Sequence, residues 1–298
     1  MAQRLRKLFR GFVFLIFLIN GSHALASDYT VENINSFADY LFDNEDYYRA
    51  ITEYERVIFM FPNHPLSNKA RFQIGMAYLM GEKWEIAINH FENLVKNYHD
   101  QEIGKQSFFM IAETYYKKKD YQQAIGAYKD FLENYSDDHM HDEAHIRLGW
   151  SFLRINNINK AQKEFRSVST YSPKRAEAEK VAQEVIKIND APHKSPLVAA
   201  SLSAILPGLG QLYAERPGDA TVSFLLNGLF IWGIVEAFNN GNNALGIILT
   251  GVGLGWYTGN IYNATNNAYK FNQREKIKLI DGLEYKYDLS FTCNRDKK

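Results

Sequence analysis

The sequence predicts an all-α chain, a helical solenoid followed by a small helical transmembrane domain. Two observations carry that reading. One unit is written four times between about residue 31 and residue 173, anchored on Ala50, Ala87, Ala124 and Ala161 at a constant interval of 37 residues. Beyond Ser195 the composition changes abruptly, and three apolar stretches follow one another, with Glu236 their one charged residue. A constant period marks stacked supersecondary units, and long uncharged segments mark helices that lipid can cover.

Taken in order, residues 1–26 read as a signal peptide. Arg4, Arg6, Lys7 and Arg10 precede the apolar run GFVFLIFLI, and Ala24-Leu25-Ala26 places small residues before a cleavage ahead of Ser27. The apolar run is too short to span a bilayer. Basic and acidic residues balance over the whole chain, and loss of those four basic residues leaves the mature chain four charges negative. That balance offers no electrostatic case for nucleic acid. Cys293 is the one cysteine. An intrachain disulfide is therefore excluded, as is a cysteine at the cleavage site for lipid attachment.

Residues 27–190 hold the repeats and a capping helix. Four positions after each anchor stands an aromatic (Tyr54, Phe91, Tyr128, Phe165), followed three later by Val57, Leu94, Phe131 or Val168. Twelve before it stands Ala38, Gly75, Ala112 or Gly149, and nine before it Leu41, Tyr78, Tyr115 or Phe152. Small residues at two fixed points let two helices approach closely, with the aromatics filling between them. Pro62 and Pro173 close the first and last units. This order of small, aromatic and proline positions resembles the tetratricopeptide repeat, over about half of the chain. The period is three residues longer than its commonest form, which predicts a longer turn between units, and units two and three lack the closing proline. After Pro173, KRAEAEKVAQEVIKI predicts an amphipathic capping helix.

The resemblance implies a concave groove lined by the first helix of each unit. Its positions fall on Asn35, Asp39 and Phe42, then Phe72, Met76 and Leu79, then Phe109, Glu113 and Tyr116, and finally Ile146, Trp150 and Leu153. Units two to four thereby offer an apolar stripe. Such a stripe is either a protein-binding face or core filled by the chain itself. As partner-binding residues the reading takes Phe72, Met76, Leu79, Phe109, Tyr116, Ile146, Trp150 and Leu153. The segment DDHMHDEAH sets His141 and His145 on one helix face, yet Asp142 stands where a zincin carries glutamate. The repeat register accounts for it more plainly, with Asp142 at a helix start and His145 on the buried fourth position. No metal, cofactor or catalytic residue is assigned.

Residues 191–195 form a linker, and residues 196–279 a helical membrane domain. The stretches are 196–214, 220–238 and 244–262; the last two are 19 residues each, about 28 Å as helix. Gly251, Gly255 and Gly259 recur every four residues and predict a glycine face for helix contact. Leu206-Pro207-Gly208-Leu209-Gly210-Gln211-Leu212-Tyr213 resembles a small bacterial membrane domain with the motif Pro-Gly-x-Gly-Gln-x-Tyr. Pro207, Gly208, Gly210, Gln211 and Tyr213 match, as does Ser203. The break at Pro207 frees backbone groups, and Asn260, Asn263 and Asn267 lie on one face that could satisfy them. If 196–214 spans, the chain crosses three times and the basic run KFNQREKIK ends in the cytoplasm, as the positive-inside tendency favours. If it re-enters, that run returns to the periplasm. In the tail, 280–298, LEYKYDLSF alternates and reads either as one orphan strand or as a short loose tail.

Function read from these features is that of a membrane-anchored adaptor in the cell envelope. It is non-catalytic, sits in the inner membrane with periplasmic repeats, and has protein partners and membrane lipid as its contacts. The alternative is an accessory subunit of a transport or lipid-handling system acting through the PGLGQLY and asparagine residues.

Overall fold

A computed structural model describes residues 29–136 and 139–287, and among these every regular element is helical. Residues up to Ile155, with Ser167–Ser169, form one compact unit; Asn156–Arg166 and the chain from Thr170 form a second.

The first unit stacks seven helices: α1 Val31–Asp43, α2 Tyr47–Met60, α3 Pro65–Met80, α4 Trp84–Tyr98, α5 Glu102–Lys117, α6 Tyr121–Asn134 and α7 His141–Arg154. Consecutive helices pack on one another, and α3 also touches α1 and α5. The turn inside each repeat has one geometry. Glu45, Glu82, Lys119 and Asn156, each five positions before its anchor, adopt left-handed backbone with φ of 62, 57, 67 and 59°. In the first three turns the next amide donates to the carbonyl nine positions before the anchor: Asp46 to Leu41 at 2.9 Å, Lys83 to Tyr78 at 2.8 Å, Asp120 to Tyr115 at 2.9 Å. That pair of features is a Schellman cap, and it ends the first helix of each repeat without glycine. Asp46 and Asp120 then cap the second helix, accepting from the Arg49 and Gln123 amides.

Links between repeats differ in length, running over residues 61–64, 99–101 and 135–140, while α3 and α5 are each 16 residues long. The 37-residue period is therefore kept by helix length and link together, not by a longer link alone. The anchors Ala50, Ala87 and Ala124 are fully buried, as are Tyr54, Phe91 and Tyr128. Gly75 leaves space for the Phe91 ring, which a Cβ at that position would strike.

The second unit begins with α8 Ile158–Ser167 (Ser167 itself grouping with the first unit), α9 Arg175–Glu184 and a 3₁₀ turn over Val185–Asp190. A helix is thus present after Pro173, continued by a 3₁₀ turn. There follow α10 Pro196–Ile205, α11 Leu209–Tyr213, α12 Pro217–Asn239 and α13 Asn243–Lys286. By length and composition α12 and α13 can each cross a membrane. They form a hairpin around the turn at Gly241, with φ 72°.

Segment 196–214 is not one helix. α10 has ten residues, about 15 Å, half the thickness of a hydrocarbon core. It starts beside Asn272 and ends beside Tyr257, whose hydroxyl donates to the Ala204 carbonyl at 2.6 Å. The chain then turns at Gly208, and α12 begins where Asn267 donates to Asp219 at 3.1 Å. It runs half-way along α13 and comes back. The strand expected over 283–291 is also corrected: Leu283–Lys286 continue α13, and residues 288–291 lie outside the described residues, as do Cys293 and 1–26.

Candidate functional site

The apolar stripe of the repeats is packed, not displayed. Met76, Leu79, Phe109, Ile146, Trp150 and Leu153 are buried, and Phe72 and Tyr116 are half-buried. Ring contacts show where several of these side chains go. Phe72 meets Phe91 with centroids 5.7 Å apart, and Phe109 meets Tyr128 at 5.7 Å and Phe131 at 5.5 Å. Tyr116 meets Tyr121 at 5.4 Å, as Phe42 meets Tyr47. Each contact runs from a first helix to the second helix of the same repeat. The exposed stripe is therefore corrected: six of its eight residues are core.

The middle position of each groove triplet explains an alternation in the sequence. Tyr54 donates to Asp39 at 2.6 Å, and Tyr128 donates to Glu113. Repeats two and four put Phe91 and Phe165 in place of the tyrosines, and Met76 and Trp150 in place of the acids. A hydroxyl thus accompanies a carboxylate, and a plain ring accompanies an apolar partner. Lys69 closes the first pair on Asp39 at 3.1 Å; Arg147 closes the other on Glu113 at 3.3 Å and on Glu143 at 2.9 Å. Burial, then the Glu113 charge, pushes the Tyr128 hydroxyl well above its usual range. Burial works against the Arg147 charge, but Glu113, Tyr128 and Glu143 outweigh it and hold the guanidinium protonated. These groups are hydrogen-bonded and ion-paired ties between helices.

In the histidine segment Asp137 and Asp138 lie outside the described residues, and the others make contacts of their own. The Asp142 carboxylate accepts the Ser169 amide at 2.8 Å, and the His141 and His145 rings meet edge-on at 4.8 Å. His145 is half-buried rather than buried. Among the described residues no group of three or more His, Cys, Asp or Glu is placed to hold a metal ion.

In the second unit the Pro-Gly-x-Gly-Gln-x-Tyr residues converge on α13. Pro207 and Gly208 form the break; Gly208 has φ 99°, and a Cβ there would run into the Ala220 carbonyl. Gly210 lies against the Ala199 carbonyl, so any side chain would drive α10 and α11 apart. Its amide donates to the Ser203 hydroxyl oxygen at 3.1 Å, and that hydroxyl donates to Gln211 Oε1 at 2.8 Å. Gln211, fully buried, donates through Nε2 to the Asn260 carbonyl at 3.0 Å and Asn260 Oδ1 at 2.5 Å, with Asn263 Oδ1 at 3.4 Å. Asn267 donates on to Asn263 at 3.0 Å. Tyr213 accepts the Ser195 amide at 3.0 Å and so pins the start of α10. The motif is thereby a single construction: a break, a close approach, and an amide cluster that locks the returning segment onto α13.

The glycine face needs correcting. Gly251, Gly255 and Gly259 are exposed, and a Cβ at any of them would meet nothing. The hairpin closes instead on Gly246, which faces the Phe238 ring, and Gly253, which faces Phe230 and Ile234. Gly246, Gly253, Asn260 and Asn267 are all buried and recur every seven residues. That spacing was the signal to follow, because seven residues drift only about 20° around a helix whereas four drift about 40°.

Comparison with known proteins agrees with the repeat geometry. Residues 35–85 match a family described as tetratricopeptide repeat, and residues 66–164 match YfiO, described as an outer membrane lipoprotein. These are tetratricopeptide repeats. Among solved structures, a Parabacteroides merdae tetratricopeptide repeat protein is 15% identical, with a TM-score of 0.41, 85% of this chain covered and 98% of that one. A Podospora anserina putative kinesin light chain with tetratricopeptide-like repeats is 13% identical, also with a TM-score of 0.41, over 53% of this chain and 91% of that chain. No curated protein matches the chain.

Proposed function

We propose that the chain is a non-catalytic adaptor of the bacterial cell envelope, anchored in the inner membrane by α12 and α13, with its tetratricopeptide repeats in the periplasm gathering protein partners. One observation carries the anchoring. In their most apolar stretches α12 and α13 are only 11% and 17% buried within the protein. Side chains such as Leu225, Ile231, Trp232, Ile247 and Leu254 stand exposed in a belt that water would not tolerate. The YfiO match supports an envelope location. With Cys293 as its one cysteine, this chain has no lipid-attachment cysteine at the expected cleavage site, and apolar helices take that role.

The amide cluster on Gln211 supports a structural role for the motif in lipid, where freed backbone and amide groups need partners inside the protein. Lys194 and Asn272 clasp one another, amide to side chain at 2.7 Å and side chain to carbonyl at 2.9 Å. On this reading 196–214 re-enters, α12 and α13 cross, and the linker and the basic run after Tyr269 share the periplasmic side. Export of the long repeat domain sets that orientation against the charge tendency, since long domains translocate regardless of flanking charge.

Two experiments test the proposal. The full chain should stay with inner membranes through carbonate washing; release into the soluble fraction would end the anchor reading. In a Cys293→Ser background, cysteine placed at Lys278 should react with an impermeant maleimide in spheroplasts, and cysteine at Gly241 should not. The reverse pattern would put the repeats in the cytoplasm.

A further inference from the structure

At the first end of the solenoid, α1 shows a face that the other first helices hide. Thirteen positions before the anchors stand Phe37, Ile74, Ile111 and Leu148; ten before them stand Tyr40, Ala77, Thr114 and Ser151. In repeats two to four all six are buried, and α3, α5 and α7 each pack on the second helix of the preceding repeat. No repeat precedes α1 among the described residues. Phe37 is 49% exposed and Tyr40 62%, their rings stacked with centroids 6.4 Å apart. Terminal repeats ordinarily turn a polar face outward. Here the two largest side chains found at these positions stand in the one repeat where no preceding helix among the described residues covers them, and aromatic pairs of this kind anchor interfaces.

We infer that this face docks an amphipathic helix of a partner protein, seated as the second helix of a preceding repeat would be and carrying Lys or Arg toward the end of α1. The inference rests on the adaptor reading and gives its partner a shape and a charge. The internal seats supply the shape, and one of them supplies the charge. Where α4 covers α5, Glu85 pairs with Lys118 at 2.5 Å, inside the run Lys117-Lys118-Lys119. The matching positions of the first repeat are Asp43-Asn44-Glu45, and α1 itself contains Glu32, Asp43 and the Asp39 already closed by Lys69, with no basic residue. The occupant must therefore reverse the charge that α4 carries at Glu85.

The same acids argue against a second copy. Two α1 helices paired about Phe37 and Tyr40 would set Glu32 of one against Asp43 and Glu45 of the other. If the chain is processed ahead of Ser27, as the sequence predicts, four residues precede α1, too few for a covering helix, and Thr30 among them is already the cap, accepting the Asn33 amide at 3.2 Å.

The test uses the full chain in lipid nanodiscs and a hydrocarbon-stapled peptide of the α4 sequence, Trp84–Tyr98, in two forms: native and Glu85→Lys. The Glu85→Lys peptide should bind at least tenfold tighter to the native chain than to Phe37→Asp/Tyr40→Asp. It should also bind severalfold tighter than the native peptide, by a margin that shrinks with salt. Both residues are exposed, so circular dichroism of the double variant should match the parent. Equal binding to parent and double variant overturns the inference, as does a preference for the native peptide. Self-association of the parent that the double variant abolishes overturns it in favour of a second copy. Crosslinking in intact membranes separates this from the adaptor reading. A partner captured equally by both chains leaves the adaptor standing and removes this face. A peptide that binds as expected, with no partner captured, does the opposite.

Discussion

Replacing Phe109 with alanine decides whether the apolar stripe is core or site. Phe109 is buried on α5 and packs edge-on against Tyr128 and Phe131 of α6, with centroids 5.7 and 5.5 Å away. Truncating a buried phenylalanine costs about 3–5 kcal/mol in lost transfer and residual cavity. Each aromatic pair forfeits about 0.5–1.5 kcal/mol beyond area. Against a domain stability of about 5–15 kcal/mol, Phe109→Ala should lower the melting temperature of the repeats by roughly 10 °C or more. Phe37→Ala removes the same ring from an exposed position and should cost under about 0.5 kcal/mol. The assay is thermal melting of the full chain in detergent, followed at the far-ultraviolet helical signal, with both variants beside the parent. If Phe109→Ala melts with the parent yet loses partner capture, the ring was presented to a partner and the assignment of the stripe to the core fails.

Three further expectations follow from the same geometry. Glu113→Ala should destabilise the repeats by about 3 kcal/mol, because it strips the Tyr128 hydroxyl and a buried Arg147 of their shared carboxylate; a denaturation midpoint unchanged from the parent would contradict it. Gly210→Ala should break the carboxy-terminal unit, driving a methyl into the Ala199 carbonyl, whereas Gly255→Ala meets nothing and should fold normally; protease resistance in nanodiscs distinguishes them, and equal resistance would refute the packing described. His90 donates through Nε2 to the Arg71 carbonyl at 2.8 Å, and burial holds its pKa below the usual histidine value. Its contribution is therefore present above pH 6.5 and is lost as pH falls below it, since the unfolded chain takes up the proton first. His90→Gln should flatten that acid-side loss in a pH series of melts, and an unchanged slope would exclude the histidine as its source.

The sequence by itself determined the repeats. Anchor, aromatic and small positions recur at one spacing, and a helix pair reads spacing directly: Ala50, Ala87 and Ala124 are fully buried, and the left-handed turn residue falls five positions before each anchor. It also marked the Pro-Gly-x-Gly-Gln-x-Tyr segment and the asparagines that meet it. Which side of each helix faced a neighbour was decided only by the tertiary structure. Phe109 and Met76 occupy positions that could line a groove or fill a core, because periodicity identifies an apolar face without naming what covers it. Gly251, Gly255 and Gly259 satisfied a four-residue rule, yet α13 turns its seven-residue face, Gly246 and Gly253, toward α12. Even the uncharged run at 196–214 gave length without direction. The left-handed break at Gly208, held by the Ser203 and Gln211 hydrogen bonds, turns the chain back half-way along α13. Local patterns specify which residues seek burial; the partner that buries them comes from elsewhere in the chain, at sequence distances that no local spacing encodes.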